Sequence, residues 1–395
     1  MRNKTKMENL IRESQKFKDL HRQTIGYINL NPLQRGGILS DDARKMISEW
    51  ADGYSVCDFC DGCLDNIKNP PINDFVHEKL PKFLGTETAR ITNGARESKF
   101  IVIHSLCEKG DTVLFDSNAH YSSFVAAERA CVNVVTTPET EHPEFKINED
   151  SYAEKIEEIK KETGKPPKLA LLTYPDGNYG NLADAKKVGE ICREYDVPFL
   201  LNGAYSVGRM PINAKELNAD FIVGSGHKSM AASGPIGVLG TSEEYEKILF
   251  KKSEKYKIKE VELLGCTSRG LPIITLMASF PYMLERVRRW DEEVANARWF
   301  LDKLSEIPRI KSLGVQPTDH DLNFIETPVF YEISKKHKKR GYFLQKELKA
   351  KGIVGIKPGL TKFFKLSTYL LTREEIKTVA DAFFDIYDKY EGLLE

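Results

Sequence analysis

The sequence predicts an α/β protein: a large domain built on a mostly parallel mixed sheet, then a smaller C-terminal α+β domain. Two observations predict it. Between residues 90 and 242, short apolar runs alternate with stretches of helical period, the pattern of βαβ units. Beyond residue 270 the order changes to long helical stretches followed by mixed strand and helix, enough for a second domain of ordinary size.

Taken in order, residues 1–65 form an N-terminal segment with a cysteine cluster, 66–270 the large domain, and 271–395 a long connecting helix with the small domain. In the large domain, Gly94-Ala95-Arg96 opens a helix. DTVLF (111–115) reads as a strand and YSSFVAAERAC as the helix after it. VNVVTT (132–137) is a strand, SYAEKIEEIKKETG a charged surface helix, and KLALLTY (168–174) a buried strand. ADAKKVGEICREY is a helix, and VPFLL (197–201) and FIVGS (221–225) are further apolar strands. Residues 270–307 are mainly helical, followed by NFIETPVFYEI, the helix GYFLQKELKAK, the strand TKFFKLSTYL and a last helix. Thr372 and Glu375 have the Thr-x-x-Glu spacing of a capping box for that helix.

Composition excludes little. The 58 basic and 58 acidic residues cancel, so a nucleic-acid partner would need a local basic face. No apolar run reaches the ~18 residues of a membrane helix. The charged N-terminus MRNKTKMENLIRESQKF leads into no signal-like run. No membrane association and a cytoplasmic location are expected. Seven cysteines, an odd number in a large chain, argue against a disulfide framework. Cys107, Cys131 and Cys192 lie in or beside helical patterns and are expected in the core.

The segment ADFIVGSGHKSMAASGPIGVLG (219–240) is the most informative. An apolar strand ends in Ser225-Gly226-His227-Lys228, and small residues lead on to Gly234-Pro235-Ile236-Gly237. A lysine there can project over the crevice where open α/β sheets bind ligands. Partial desolvation would lower its pKa and make it a nucleophilic amine. Alone, such a lysine is more often a solvated loop charge. Its context argues otherwise: VPFLL runs into Asn202, and the Gly94 turn into a helix N-terminus offers backbone amides to a phosphate.

This order, a glycine turn into a helix, a strand ending in Asn or Asp, then Ser-x-His-Lys, resembles the aspartate aminotransferase-like (fold type I) superfamily of pyridoxal-phosphate enzymes. The resemblance implies that Lys228 holds the cofactor and that His120, in SNAHYSSFVAAERA, stacks on its ring; a helix-capping role is the plainer alternative for His120. Tyr121 and Tyr205 are further pocket candidates. The superfamily usually has aspartate where this chain has Asn202. A neutral amide can hydrogen-bond to the ring but cannot ion-pair with a pyridinium. The ring is then a weaker electron sink, which suits elimination better than transamination.

Cys57, Cys60 and Cys63 in YSVCDFCDGC have a spacing that suits zinc, an iron-sulfur cluster or paired thiols. Cys266, beside Arg269 in VELLGCTSRGLP, is a candidate fourth group. Together with INLNPLQRGG, ARITNGARESKF, TYPDGNYGNL, NGAYSVGRMP and FKLSTY, these segments resemble the O-phosphoseryl-tRNA:cysteinyl-tRNA synthase family.

That resemblance implies β-replacement of phosphate by sulfur on phosphoserine carried by the cysteine tRNA. Lys228, His120 and Arg96 would serve catalysis, and Ala95, Arg96, His120, Asn202, Ser225, Gly226, His227 and Lys228 the cofactor. Cys57, Cys60 and Cys266 would deliver sulfur, as a persulfide or as iron-sulfur ligands; Cys63 is an addition to the family pattern. A homodimer is implied, with phosphoseryl-tRNA synthetase and a helper protein as candidate partners. The basic stretches 251–260, 286–290 and 334–343 are candidate tRNA contacts, each with a plain solvated face as the alternative. The rival readings are a cysteine desulfurase or selenocysteine lyase on a free amino acid, and a tRNA- or cluster-binding scaffold on an inactive cofactor fold.

Overall fold

The computed structural model describes residues 2–52, 72–264, 270–359 and 361–394. Seven strands form the large sheet: β1 (Thr88–Thr92), β2 (Thr112–Phe115), β3 (Asn133–Thr136), β4 (Ala170–Thr173), β5 (Phe199–Asn202), β6 (Phe221–Ser225) and β7 (Gly237–Thr241). Their order is β1-β7-β6-β5-β4-β2-β3. β7 runs antiparallel to both neighbours, and every other pair is parallel.

The helices α1 (Ala95–Leu106), α2 (Tyr121–Ala130), α3 (Ser151–Thr163) and α4 (Ala185–Glu194) alternate with these strands. Every residue of β4, β5 and β6 is buried, as expected of parallel strands covered on both faces. The two-residue period shows in the packing. Leu172, Leu201 and Ile222 join one core cluster, while Leu171, Leu200 and Val223 join another on the opposite face.

Two long helices, α5 (Gly270–Arg288) and α6 (Trp290–Ser305), lead to a three-stranded antiparallel sheet of order β10-β9-β8, where β8 is Lys311–Leu313, β9 Leu322–Glu326 and β10 Phe363–Ser367. NFIETPVFYEI divides at Thr327: β9 ends, and Pro328 occupies the first turn of α7 (Pro328–Lys336), where its missing N–H costs nothing. The helices α8 (Phe343–Ala350) and α9 (Arg373–Tyr390) complete this part. At the start of α9, Thr372 Oγ1 accepts from the Glu375 amide at 3.2 Å, and Glu375 Oε2 accepts from the Thr372 amide at 2.8 Å, the expected capping box.

The N-terminal segment joins both parts. Ile28–Asn29 pairs in parallel with Ile353–Val354, and Leu30 sits in the small-domain core. The chain then crosses the turn that holds Lys228. A Cβ on Gly36 would lie 2.3 Å from the Lys228 carbonyl oxygen, and one on Gly37 2.2 Å from that of His227. Only glycine allows this approach.

Of the cysteines expected in the core, only Cys192 is buried; Cys107 is half-buried and Cys131 exposed. Cys131 caps α2 in the left-handed conformation, φ 57°, so the chain turns away from the core there. Cys57, Cys60, Cys63 and Cys266 lie outside the described residues. Among the described residues, no helix is long and apolar enough to cross a membrane.

Candidate active site

β4, β5 and β6 end side by side at Thr173, Asn202 and Ser225. With the N-terminus of α1, they line a cavity of about 140 Å³ that also takes in Ala95, Arg96, Lys99, His120 and Lys228. Gly94 precedes α1 with φ +121°. Gly237 lies against it, since a Cβ there would come 2.4 Å from the Gly94 carbonyl carbon. This turn brings the free amides of α1 to the cavity.

Lys228 follows β6 in the short helical turn Gly226–Ser229. Its amine lies 5.1 Å from the centroid of the Tyr205 ring. Burial, and secondarily the charge of Arg209, hold its pKa below the usual lysine value. The same burial pushes the Tyr205 hydroxyl up to about 12. His227 also lines the cavity, with Nδ1 3.1 Å from the Ile236 carbonyl oxygen; burial lowers its pKa. Arg96 is exposed at the rim, its guanidinium 5.8 Å from the Phe100 ring centroid.

Thr173 Oγ1, Asn202 Oδ1 and Ser225 Oγ are buried in this cavity wall without a hydrogen-bond partner. Each such atom costs about 1–3 kcal/mol, so three together mark a place for a polar ligand. The site fits pyridoxal phosphate. The α1 amides suit its phosphate, Asn202 and the strand-end hydroxyls its ring edge, His120 its face, and the Lys228 amine its aldehyde.

The structure shows the capping role of His120 and places its ring at the cavity. His120 Nδ1 caps α2 by accepting from the Ser122 amide at 3.3 Å. Nδ1 therefore carries no proton, and the neutral ring is protonated at Nε2. Ser122 Oγ stands 2.8 Å from Nδ1 and accepts from Lys99 Nζ at 2.7 Å; Lys99 also donates to Ser123 Oγ at 3.1 Å. The chain Lys99 to Ser122 to His120 thus runs in one direction. Burial, then the charges of Lys99 and Lys228, push the His120 pKa down to about 4. Burial pushes Lys99 down to about 7 and Asp116, at the end of β2, up to about 7.

Lys99, Ser122 and Thr173 line the cavity and were missed by sequence reasoning, as was Asp116 behind Thr173. Lys99 sits inside the quoted motif ARITNGARESKF, one turn beyond Arg96 on α1. That spacing was the available signal.

A locked network lies behind the Lys228 turn. Arg209 Nη1 is 2.7 Å from Asp321 Oδ2, both side chains fully buried. The same guanidinium donates to Ser229 Oγ at 3.2 Å and to the Pro32 carbonyl at 2.9 Å. Arg286 donates to the Gly36 carbonyl at 3.1 Å and to the Tyr369 hydroxyl at 3.2 Å. Strand ends, N-terminal strap and small domain are thereby tied around the lysine.

The cofactor cavity opens into a larger one of about 700 Å³. His120, Tyr121, Gly177 and Tyr205 line both. The mouth adds Leu33, Phe324, Phe363, Lys357 and Lys365. Lys365 Nζ donates to the Gly177 carbonyl at 2.8 Å and to Asn178 Oδ1 at 2.9 Å, joining β10 to the turn after β4. The Leu264 amide donates to Glu97 Oε1 at 3.0 Å, next to Arg96. Among the described residues, no cluster of three His, Cys, Asp or Glu side chains could hold a metal.

A family model described as O-phosphoseryl-tRNA(Sec) selenium transferase, SepSecS, matches residues 51–388. An O-phospho-L-seryl-tRNA:Cys-tRNA synthase of Methanosarcina mazei is 60% identical over 96% of this chain and 98% of its own length. The protein so named from Methanocaldococcus jannaschii is 55% identical over 94% and 99%. A solved structure described as a SepCysS–SepCysE N-terminal domain complex superimposes with TM-score 0.89 at 53% identity, covering 95% of this chain and 99% of that one. A cysteine desulfurase from Thermococcus onnurineus shares the fold, with TM-score 0.74 at 16% identity over 92% of this chain and 95% of its own.

Proposed function

The chain belongs to the O-phospho-L-seryl-tRNA:Cys-tRNA synthase family, and we propose that it is a pyridoxal-phosphate-dependent transferase that turns phosphoserine on tRNA(Cys) into cysteine. The observation that carries the reading is the site itself: a desolvated lysine at the strand end, facing orphaned polar atoms beside a helix N-terminus. Bound pyridoxal phosphate supplies the electron sink that lets an α-proton leave and a β-phosphate be expelled. The chain's residues do the rest. Lys228 would hold the cofactor covalently, and its amine, whose pKa burial lowers, would take the α-proton once substrate has replaced it. Ala95, Arg96, Ser225, Gly226 and His227 would line the cofactor site, and Asn202 would hold the ring edge. His120 presents an Nε2–H donor to the cavity, and Arg96 offers its exposed charge to an incoming phosphate at the rim. Net, a C–O bond to phosphate is exchanged for a C–S bond, with sulfide entering and inorganic phosphate leaving.

Cys57, Cys60 and Cys266 are the proposed sulfur carriers: as ligands of an iron-sulfur centre when sulfide is the donor, or, when a persulfide is the donor, as a persulfide whose outer sulfur forms the C–S bond while a second of these thiols cleaves the resulting mixed disulfide and ends in a disulfide within the protein. What supports a place for Cys266 is the Leu264–Glu97 hydrogen bond two residues before it. A homodimer belongs to this proposal. So does a helper protein, as the complex named for the solved relative suggests. Met7, Leu10 and Ile11 are exposed on the helix Arg2–Ser14 with i, i+3, i+4 spacing, a face suited to such a partner. Phosphoseryl-tRNA synthetase is a further proposed partner, and the cytoplasm the proposed location.

The test is conversion of phosphoseryl-tRNA by the protein with a sulfide source, analysing the amino acid released from the RNA. Esterified cysteine with stoichiometric phosphate is expected. Unchanged phosphoserine, alongside sulfur release from free cysteine, would instead mark a desulfurase. Replacing Cys57, Cys60 or Cys266 by serine should spare phosphate release and strongly reduce cysteine formation.

A further inference from the structure

The ester that carries phosphoserine is at the 3′ end of the RNA, so the nucleic acid must leave the cofactor cavity by its mouth. The lining residues mark one way out. His120, Tyr121, Gly177 and Tyr205 join the cofactor cavity to the mouth. Phe363 joins the mouth to an outer groove of about 470 Å³ that holds Tyr331, Arg340 and Lys362. Lys357 stands at the mouth. Arg340, Lys357 and Lys362 are exposed, and no carboxylate among the described residues lies within ion-pair distance of them. Phe363 and Tyr331 remain 40% and 39% exposed, although each is large and apolar enough to favour burial.

The other basic stretches offer nothing comparable. Arg286 is buried and spent on Gly36 and Tyr369, and Arg288 is held by Glu285 at 3.2 Å. Lys251 and Lys252 line a groove with Arg90, Glu246 and Glu260 that shares no residue with the cofactor cavity or its mouth. Cations free of carboxylates, interleaved with half-exposed rings, are what a single strand uses: charge for phosphates and ring faces for bases.

We propose that the single-stranded 3′ end of the substrate RNA runs from the mouth across the groove between α7 and β10, with its phosphates on Lys357, Lys362 and Arg340 and a base on Phe363. The proposal rests on the reading of the substrate as an aminoacylated RNA.

The experiment uses the full-length, cofactor-loaded protein and two unacylated RNA hairpins of identical stem, one with a single-stranded 3′ tail and one blunt. Binding is read by fluorescence anisotropy at several salt concentrations. For R340Q/K357Q/K362Q, affinity for the tailed hairpin should fall on the order of tenfold or more. The slope of log K against log salt should drop by about 2, at about 0.7 per single-strand phosphate. Phe363→Ala should weaken the tailed hairpin on the order of tenfold through lost stacking and leave the blunt one unchanged. K252Q/K255Q/K257Q should bind as the parent does. A parent-like cofactor absorbance spectrum shows each variant to be folded, and the single variant Lys362→Gln, with about a third of the slope change, stands in if the triple is not.

The route is overturned if the parent binds both hairpins equally, if R340Q/K357Q/K362Q keeps parental affinity and slope, or if K252Q/K255Q/K257Q carries the loss. Failure of the synthase reading looks different: the tailed hairpin binds as described, but phosphoseryl-tRNA is not converted.

Discussion

Arg209 and Lys99 are both buried cations, one on each side of the Lys228 turn, and the protein treats them differently. Arg209 meets the carboxylate of Asp321 at 2.7 Å and spends its remaining donors on Ser229 and Pro32. Lys99 meets two serine hydroxyls, and no carboxylate among the described residues lies within ion-pair distance of it. Lys228, just above, has a ring face and no such carboxylate either. Burial with a counter-charge fixes a guanidinium in place and makes it structural. Burial without one disfavours the charged form and lowers the pKa of the amine. The reactive half of the site and its frame are thus distinguished by carboxylate placement more than by depth.

The largest effect that could break this contrast is at Lys228. Lys228→Ala removes both the covalent anchor and the base. Cysteine formation should fall by at least the ~10²–10⁴ of a lost acid–base group, and borohydride should fix no cofactor to the chain. Covalent fixation in the variant, seen by mass spectrometry, would hand the role to Lys99.

On the frame side, Asp321→Asn leaves Arg209 buried without its charge partner. Breaking such a pair costs about 3–5 kcal/mol, to be read as a lower urea midpoint of the cofactor-free protein. The sign with pH follows from Asp321 itself. The charges of Arg209 and His320 and the bonds from Ser367 and Arg209 outweigh burial and hold its folded pKa below the usual carboxylate range. Its contribution is therefore present above the unfolded carboxylate pKa and lost as pH falls through the folded one. The parent should lose stability in acid more steeply than Asp321→Asn. Equal acid slopes would mean that the pair is not the lock described here.

Asn202→Asp sharpens the comparison by placing a carboxylate at the end of β5, beside the bound ring. A charge next to a bound ring nitrogen should raise that nitrogen's pKa by about 1–3 units, visible as a displaced pH titration of the cofactor absorbance. An identical titration would remove Asn202 from the ring edge.

Much of this was legible in the sequence, and the limit falls where side chains meet across long separations. The strands and helices around Lys228 follow from period and turn chemistry, and each runs within a few residues of its expected place. Lys228, Asn202 and the Gly94 turn are set by what ends a strand or starts a helix, which is local information. The Arg209–Asp321 lock joins positions 112 residues apart, and no local pattern distinguishes a buried arginine from a solvated one. Cys131 shows the reverse error: its apolar character suggested the core, but its position at a left-handed helix cap decided its exposure. Lys99 was not singled out in the sequence, where a lysine on a helix is usually a solvated charge. Only the pairing of α1 with α2 reveals the two serines above it.

The smallest predicted effect tests that last residue. Burial holds the folded pKa of Lys99 at about 7, against 10.5 for an ordinary lysine. Between those values the unfolded chain binds the proton and the folded chain does not, so stability rises with pH from about 7 to 10.5; below about 7 both states are charged, and the cost of burying the ammonium is borne in full. One proton contributes at most about 1.4 kcal/mol per pH unit. Replacing Lys99 with methionine, similar in length and uncharged, should remove this slope, and the variant should gain on the parent as pH falls towards 7. Urea unfolding of the cofactor-free protein across pH 7–10 measures both. The relay gives a second readout. Without the ammonium, Ser122 Oγ loses its donor and need no longer point its own proton at His120 Nδ1. The Ser122 amide still donates to Nδ1, so the ring stays in its Nε2–H form, but the Nδ1 ¹⁵N shift of His120 should move as the bond from Ser122 Oγ is lost. A parental pH slope together with an unmoved His120 signal would mean that Lys99 is already paired when folded, and the contrast with Arg209 would collapse.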